Sequence, residues 1–325
     1  MVYGQSRNNY PKQLYNFKCV LSIFIHESQI NHYKLQKKLK YSRIIAGTMT
    51  WGEWGKKFSK NKTIDLIHHC LEHGITSFDH ADIYGGYTTE VDFGNALSET
   101  NIPRDHIQLI TKCGIQYLCE NRNLKINHYN YSKDHIIWSA ENSLKHLKTD
   151  YLDLLLLHRP SPLMHPDDIS EAISQLKQQG KIKHFGVSNF TPSQVELISK
   201  EHEVSANQIE FSLTHHDALY DGTLDQMIKK NMIPMAWSPT GSIYKENTEQ
   251  IQRIKKQLSE LTETYGATQD QLLLTWILKH PSQIHPVIGT TTKERIKAAA
   301  KSIHLDLDLE DWFLILAASQ GHKVP

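Results

Sequence analysis

The sequence contains no long apolar run, no glycine-rich dinucleotide motif and almost no net charge. Its longest apolar stretch near the start, residues 20–25, is far too short to cross a bilayer. The 36 lysines and arginines nearly cancel the 35 aspartates and glutamates, so no long-range field draws nucleic acid or anionic membrane to the surface. The pattern GxGxxG is absent, which argues against an open doubly wound nucleotide-binding sheet. We therefore expect neither a membrane protein nor a nucleic-acid binder, and any anion site must be local.

Cysteine is scarce, whereas histidine is plentiful. The four cysteines form no CxxC pair, which predicts reduced thiols in a cytoplasmic protein and argues against disulfides and a structural zinc site. The 20 histidines include the pairs His68-His69 and His215-His216 but no HExxH motif. Because that helix-borne ligand spacing is missing, we expect the histidines at the surface and predict no metal.

The first residues of the chain differ in character from the rest. Residues 1–30 show no clear periodicity and are predicted to be either a disordered arm or a stretch translated upstream of the true start. Residues 22–25 could instead add a short edge strand. Length alone permits one large domain or two smaller ones.

From residue 41 onward, short apolar runs alternate with longer amphipathic segments, a pattern typical of parallel strands joined by helical crossovers. The predicted strands are residues 43–49, 77–82, 107–112, 152–158, 184–188, 206–209, 233–237 and 285–288. Predicted helices include residues 63–73, 133–147, 166–179, 192–200, 224–230, 268–279 and 292–301. A terminal helix, residues 308–319, is expected to pack Trp312, Phe313, Leu314 and Leu316 against the barrel. Eight such units favour an α/β fold, a closed (β/α)8 TIM barrel in a single domain, residues 31–325.

Four polar residues stand where apolar runs end, namely Asp79, Tyr84, Lys112 and His158. Functional side chains of such barrels gather at the carboxyl ends of the strands, so we expect these four to meet. A carboxylate, a phenol, an ammonium and an imidazole are the groups that protonate a carbonyl oxygen while hydride arrives on its carbon. The sequence therefore predicts a carbonyl reductase acting on a small molecule.

The segments FDHADIYGGYTTE, TKCG, LLLLHRP, GVSNF, NQIEFS, AWSP and IGTTTKERI occur in the order found in aldo-keto reductases. From about Ser42 to the end, the chain resembles that superfamily. The motif HADIYGGY and the terminal VP are similar to a bacterial branch. The resemblance implies a (β/α)8 barrel that binds NADPH, less often NADH, without a separate nucleotide domain and without a metal.

The resemblance also implies a role for each polar residue. Tyr84 would be the proton donor, and Lys112 would stabilise its phenolate, since a phenol with a pKa of about 10 is reluctant to lose its proton. Asp79 would hold the lysine charged through a buried ion pair. His158 would hydrogen-bond the substrate oxygen.

Further residues match the family positions that hold the cofactor. Ser188, Asn189 and Gln208 would bind the nicotinamide carboxamide, because amides and hydroxyls offer both donors and acceptors. Trp237 stands where tyrosine is commoner in the family, and its indole would stack on the nicotinamide ring. Ser238, the next residue of the AWSP motif, is also expected at the cofactor. A packing role at the top of the barrel is the alternative for Trp237.

Phosphate binding is implied for the segment after the eighth strand, Gly289, Thr290, Thr291, Thr292 and Arg295. The familiar family form has lysine and serine where Gly289 and Thr290 stand, and loss of that cation weakens the preference for NADPH. Arg295 can still clamp a 2′-phosphate, so NADPH is favoured and NADH is possible.

The substrate pocket is predicted to lie under loops. Trp51 and Trp54 could wall it, although packing is an equal alternative for Trp54. Tyr117 begins a long polar loop, residues 117–131, and residues 161–165 would close another side. The substrate itself and the oligomeric state are not predicted.

His80 departs from the usual family residue, and is expected either in the core or tuning the charge of the acid–lysine pair. Cys113 should point away from the catalytic face. Two other functions stay open: a regulatory subunit that binds NADPH and senses redox state with little turnover, and a metal-dependent hydrolase that uses His80, Asp82 and His158.

Overall fold

The computed structural model describes residues 41–120 and 122–323, and eight parallel strands of the described chain close into a barrel. The barrel strands are β1 (Ile45–Gly47), β2 (Ser77–Asp79), β3 (Gln108–Cys113), β6 (Leu152–Leu157), β7 (Ile182–Ser188), β8 (Ala206–Glu210), β9 (Ile233–Trp237) and β10 (His285–Ile288). β10 pairs with β1 and closes the ring. The predicted (β/α)8 barrel is confirmed.

Helices surround the barrel. They are α1 (Lys60–Glu72), α2 (Tyr84–Tyr87), α3 (Thr89–Leu97), α4 (Lys133–Leu147), α5 (Pro166–Gln178), α6 (Pro192–Ile198), α7 (Thr223–Lys230), α8 (Glu249–Tyr265), α9 (Gln269–Leu278), α10 (Lys293–Lys301) and α11 (Leu309–Gln320). Short 3-10 turns lie at Arg104–His106, Asp217–Leu219 and Ser302–His304. Capping boxes at Thr191 and Thr268 start α6 and α9. These reciprocal bonds satisfy N–H groups that a helix leaves without partners.

Several elements were not predicted, among them the short helix α2 and the 3-10 turns. A two-stranded antiparallel hairpin pairs β4 (Ile115–Gln116), just before the predicted loop 117–131, with β5 (His128–Tyr129) inside that loop. Strands of two residues are too short to show a period. Helices α3 and α8 were also missed, although α8 buries Ile251, Ile254 and Leu258 at helical spacing, a signal present in the sequence.

The terminal helix α11 forms as predicted, but its packing face differs. Ile315 and Leu316 are buried and Trp312 is partly buried against the core. Phe313 and Leu314 are 39% and 48% exposed, contrary to expectation. With 3.6 residues per turn, residues 312, 315 and 316 share one face and residues 313 and 314 point away from it.

Side chains alternate across β3. Lys112 points into the barrel toward Asp79, whereas Thr111 hydrogen-bonds Glu90 of α3 on the outside. Cys113, as expected, packs in the outer core, and burial raises the pKa of its thiol. Catalytic groups can therefore project from strands that are otherwise held by apolar packing.

The predicted arm (residues 1–30), the edge strand (22–25) and the VP terminus lie outside the described residues. The described residues from Ser42 onward form one compact unit. No helix within residues 41–120 and 122–323 has the length and apolar character that a bilayer crossing requires.

One glycine fixes the approach of a loop to the site. Gly114 follows β3 with φ +105°, and a Cβ there would lie 1.9 Å from the ring of Tyr131. The Tyr131 hydroxyl donates to the carbonyl oxygen of Arg159 at 2.5 Å and accepts from the Arg159 N–H at 3.1 Å. This clamp holds the loop after β6, directly beside His158.

We predict that Gly114→Ala lowers the free energy of unfolding by roughly 2–5 kcal/mol, because backbone strain and overpacking add. Gly180→Ala is the matched control. Gly180 also has positive φ, but nothing lies within 4 Å of its added Cβ, so the loss should be about 1 kcal/mol. Urea unfolding measures both, and equal losses would contradict the packing role of the Gly114 contact.

Candidate active site

The centre of the site is a buried ion pair between Asp79 at the end of β2 and Lys112 in β3. Lys112 Nζ lies 2.8 Å from both carboxylate oxygens of Asp79 and 2.8 Å from the carbonyl oxygen of His80. It also donates to the hydroxyl oxygen of Tyr84 at 3.1 Å. Since Tyr84 accepts in this contact, its own hydroxyl proton is left to be donated elsewhere.

The pKa shifts follow from burial and charge. Burial alone would lower the pKa of Lys112, but the charges and hydrogen bonds of Asp79 and Tyr84 outweigh it and raise that pKa. For Tyr84, burial raises the pKa and the positive charge of Lys112 only partly opposes it. The expected stabilisation of phenolate is therefore the smaller effect in the free protein. Tyr84 stays protonated at neutral pH, as a proton donor must.

His158 stands immediately after β6, where its backbone N–H donates to the carbonyl oxygen of Cys113 at 2.9 Å. Its ring meets that of Tyr84 edge-on at 6.1 Å between centroids. Burial, and then the positive charges of Lys112 and Arg159, hold the pKa of His158 well below its usual range. The imidazole is neutral, and its buried Nδ1 has no hydrogen-bond partner among the described residues.

A glycine turn presents the Tyr84 ring. Gly85 and Gly86 have φ values of +63° and +66°, a region that favours glycine. A Cβ on Gly85 would lie 2.6 Å from the Thr89 hydroxyl oxygen. The reversal of the chain directly after Tyr84 therefore depends on these two residues, and it turns the phenol back toward Lys112.

A hydrogen-bonded chain links the acid to the far side of the barrel. Gln208 donates from Nε2 to Asp79 Oδ1 at 2.8 Å, a contact not foreseen from sequence. Ser188 donates to the Gln208 carbonyl oxygen, and Asn189 donates to the Ser188 hydroxyl, both at 2.8 Å. Trp237 donates from Nε1 to Asn189 Oδ1 at 2.9 Å. The residues predicted to hold the carboxamide and the nicotinamide ring thus form one hydrogen-bonded network with Asp79.

These groups open onto a cavity of about 690 Å³ at the carboxyl ends of the strands. Most residues predicted for the site line it: Trp54, Asp79, Tyr84, His158, Ser188, Asn189, Gln208, Trp237, Ser238, Gly289, Thr290 and Arg295. Lys112 lies beneath it, in contact with Asp79 and Tyr84. The set that was scattered along the sequence is therefore brought together.

Two predicted pocket residues lie elsewhere. Trp51 is only 4% exposed and packs on Phe78 and Phe93, with centroids 6.3 and 6.1 Å away. Its turn directs the ring inward to the apolar core, so the predicted pocket role of Trp51 is not supported. Tyr117 packs edge-on against Trp54, with 5.0 Å between ring centroids, and is not among the residues that line the cavity.

The far end of the cavity carries the predicted phosphate residues. Arg295 donates from Nε to Asp270 Oδ2 at 2.8 Å, so its guanidinium already faces a carboxylate. Lys245 also lines the cavity. This cation lies outside every motif in the sequence and was not predicted. Thr292 caps α10, but Thr291 and Thr292 are not among the residues lining the cavity.

His80 is fully buried and packs on Phe93 at 4.4 Å between centroids. Thr48 donates its hydroxyl proton to the carbonyl oxygen of Asp79, so the 2.9 Å contact with His80 requires Nδ1–H to be the donor. Burial and the charge of Lys112 lower the pKa of His80 to about 3. This neutral ring is a core histidine, the first of its two expected roles.

The structure does not assemble the hydrolase ligand set. Asp82 accepts from Ser139 at 2.8 Å on the outer side of the barrel, while His158 faces the cavity. Within the described residues, the side chains grouped closely enough to hold a metal are His69, Glu72 and His73 instead. His69 and His73 lie four residues apart on α1, so the expectation that the histidines lack helix-borne ligand spacing was wrong.

A second, smaller cavity of about 190 Å³ adjoins a pair of buried acids that the sequence analysis did not identify. Asp82 Oδ1 and Glu90 Oε2 are buried without a hydrogen-bond partner in the part of the chain that the structure describes. His146 Nδ1 lies 3.8 Å from Glu90 Oε2. Burial, and then the charge of Glu90, raise the pKa of Asp82 to about 8, so Asp82 holds a proton at neutral pH.

The cavity chemistry fits a nicotinamide dinucleotide. One end offers amide and hydroxyl groups and a flat indole, which suit a neutral carboxamide and an aromatic ring. The other end offers Arg295, Lys245 and the start of α10, which suit phosphate. The left-handed backbone of Asn189 (φ +61°) and Ser238 (φ +50°) is the kind of strain that functional sites retain.

The family model described as "Aldo/keto reductase family" matches residues 43–319. The chain is 42% identical over 298 residues to "Uncharacterized oxidoreductase YcsN" of Bacillus subtilis, covering 90% of this chain and 99% of the relative. It is 36% identical over 299 residues to "6-dehydroglucose reductase" of Agrobacterium fabrum, covering 89% and 98%. An aldo/keto reductase from Klebsiella pneumoniae, solved with NADP and acetate, shares the fold with a TM-score of 0.70 at 22% identity, covering 88% and 93%.

The buried acid pair predicts a pH dependence of stability. The pKa of Asp82 rises from 3.8 to about 8 on folding, so between these pH values the folded chain keeps a proton that the unfolded chain has released. Its contribution to stability is complete below pH 4 and is lost as the pH rises through 8, at up to about 1.4 kcal/mol per pH unit.

Asp82→Asn should remove that slope, measured as the free energy of unfolding in urea from pH 5 to pH 8. The exposed Asp167→Asn variant is the control, and should follow the wild-type curve. Parallel curves for Asp82→Asn and the wild type would contradict the protonated state of Asp82.

Proposed function

This chain belongs to the aldo/keto reductase family, and we propose that its cavity reduces the carbonyl group of a small aldehyde or ketone with Tyr84 as proton donor. The observation that carries the proposal is the buried series Asp79–Lys112–Tyr84, in which the phenol accepts from Lys112 and keeps its own proton. Tyr84 and His158 line the same cavity, so one carbonyl oxygen can lie against both.

The proposed proton transfer starts from this hydrogen bond. As negative charge grows on the substrate oxygen, Tyr84 gives up its hydroxyl proton and becomes a phenolate. Lys112 already donates to the phenol oxygen at 3.1 Å, and its positive charge stabilises the phenolate without moving. Asp79 keeps Lys112 charged in a site where burial opposes charge. Asp79 and Lys112 thus affect the reaction through their effect on the Tyr84 hydroxyl, not by contact with the substrate.

His158 is proposed to orient the substrate. Because its imidazole is neutral, it can hydrogen-bond the carbonyl oxygen without competing with Tyr84 as an acid. The ring also lines the cavity beside Tyr84, where a substrate oxygen would lie. Two groups on one oxygen fix the carbonyl plane, which favours one direction of hydride approach.

The nicotinamide cofactor supplies the hydride, which no side chain can provide. Ser188, Asn189 and Gln208 are proposed to hold its carboxamide, and Trp237 to stack on its ring. Trp237 is itself held by its bond to Asn189. The residues that would orient the cofactor are therefore tied to those that orient the proton donor through Gln208 and Asp79.

NADPH is proposed in preference to NADH. Arg295 and Lys245 place two cations at the phosphate end, and a guanidinium suits a phosphate dianion. Asp270 opposes this preference, since its carboxylate occupies Arg295. The Klebsiella relative of the same fold binds NADP, which supports the proposal by analogy.

A cytoplasmic location is proposed on cysteine chemistry. Cys70 and Cys113 are free thiols in the core, and burial raises the pKa of Cys70 to about 12. Protonated, unpaired thiols are typical of proteins from reducing compartments.

Tyr84→Phe tests the proton donor. We expect kcat for aldehyde reduction to fall by roughly 10²–10⁴-fold while the Kd for NADPH stays nearly unchanged, because the variant removes a proton and not the cofactor contacts. Fluorescence titration and stopped-flow NADPH oxidation, with glyceraldehyde, 6-dehydroglucose and a quinone as substrates, measure both.

Tyr129→Phe, an exposed tyrosine of the β4–β5 hairpin, is the control and should keep wild-type rates. Near-normal turnover of Tyr84→Phe would defeat the assignment of Tyr84. Cofactor binding with no oxidation by the wild-type protein, for any substrate, would instead favour the redox-sensing alternative.

Cofactor preference depends on the Arg295–Asp270 pair. Arg295→Ala should raise the Kd for NADPH by about ten- to a hundredfold, with little change for NADH. Asp270→Asn should tighten NADPH relative to NADH, because it frees the guanidinium. Lys297→Ala, on the same helix and exposed, controls for general charge. Equal losses of both cofactors in Arg295→Ala would place the 2′-phosphate elsewhere.

A further inference from the structure

We propose that the last turn of α1 is a binding site for Zn²⁺, formed by His69, Glu72 and His73. One ligand atom from each of these side chains lies within 4.8 Å of the others. Residues three and four apart on a helix share a face, so the turn presents all three on one side. Two imidazoles and a carboxylate are a ligand set that Zn²⁺ takes in proteins, with water in the fourth position.

The hydrogen bonds of the two rings leave one nitrogen of each ring with a lone pair that can bind a metal. His69 lies with Nε2 2.9 Å from the carbonyl oxygen of Lys293. A carbonyl oxygen only accepts, so Nε2 carries the proton and the lone pair is on Nδ1. His73 lies with Nδ1 2.9 Å from the carbonyl oxygen of His69, which by the same reasoning leaves the lone pair on Nε2. Ligating histidines are typically oriented in this way by a carbonyl group behind them.

The contact between His69 and Glu72 also favours a cation. His69 Nδ1 and Glu72 Oε2 are 3.8 Å apart, and in the neutral ring both atoms present lone pairs. Such a contact repels unless a proton or a metal ion lies between them. The two ring centroids are 4.4 Å apart, so a second imidazole lies next to the same space.

The position on the helix adds to the attraction. His73 is the C-cap of α1, and the carboxyl end of a helix carries partial negative charge that stabilises cations. The His69 side chain is 12% exposed and Glu72 is 68% exposed. An ion can therefore reach the site from solvent, while one ligand is held firmly in place.

The site lies outside the catalytic cavity but contacts the cofactor end of the barrel. The carbonyl group that holds His69 belongs to Lys293, the first residue of α10, and Lys293 also pairs with Asp65 of α1 at 2.5 Å. Zn²⁺ on Nδ1 draws electron density from the ring and strengthens the Nε2–H bond to Lys293. Metal binding would thus tighten the tie between α1 and the helix that bears Arg295.

Isothermal titration of the full chain with ZnCl₂ at pH 7.5 tests the proposal. His69→Ala and His73→Ala should each weaken Zn²⁺ binding by at least about tenfold, since even groups behind the ligands are worth that much. His68→Ala is the matched control, because His68 is exposed on the same helix, and it should bind as the wild type does. Glu72→Ala should weaken binding as well, and its exposed side chain makes loss of folding improbable as a cause.

Two further measurements separate a site from general histidine binding. Thermal unfolding without metal checks that each variant folds, and Zn²⁺ should raise the midpoint of the wild type and His68→Ala but not of His73→Ala. With cobalt(II), the wild type should show the visible absorption of a low-coordinate ion. The variants that lack a ligand should not show it. Absence of Zn²⁺ binding to the wild type, or equal binding by all variants, would overturn the proposal.

Discussion

The burial of one ion pair constrains much of the structure around the cavity. Lys112 and Asp79 are 1% and 3% exposed, and an isolated charge at such depth would cost several kcal/mol. The surroundings offset that cost with directed hydrogen bonds: Gln208 donates to the carboxylate, and a carbonyl oxygen and the Tyr84 phenol accept from the ammonium. Asp79 and Lys112 lie on the neighbouring strands β2 and β3, whereas Gln208 comes from β8 across the barrel, so closing the barrel completes the hydrogen bonds of the carboxylate.

The same charge arrangement sets the protonation states around it. Lys112 disfavours a second positive charge nearby, and with burial it keeps both His80 and His158 neutral. Burial keeps the Tyr84 phenol protonated despite that cation. A protonated phenol and a neutral imidazole can both serve one substrate oxygen, one as acid and one as hydrogen-bond partner. The site is therefore arranged for reduction before any ligand enters.

The two ends of the cavity differ in how firmly they are built. Near Tyr84, the polar groups are buried and bonded to one another in a continuous network. At the phosphate end, the Arg295 side chain is half-exposed and paired with Asp270, an arrangement that solvent screens and that a ligand can displace. The proposed proton donor and its partners are therefore held by buried hydrogen bonds, whereas the residue proposed to bind phosphate is held by an ion pair that a ligand can replace. His69 and Asp65 of α1 bind Lys293, the first residue of the helix that carries Arg295.

The sequence by itself determined the barrel, because strand and helix periods are local properties, and strands such as Ile233–Trp237 and His285–Ile288 were predicted with correct bounds. It also indicated Asp79, Tyr84, Lys112 and His158, since polar residues ending apolar runs are visible without coordinates. Only the tertiary structure decided that Gln208 bonds Asp79, that Asp270 occupies Arg295, and that Trp51 packs in the core. Each of these depends on the direction of a side chain relative to a residue distant in sequence. Periodicity carries no information about such directions, which are set when the closed barrel packs its helices and loops.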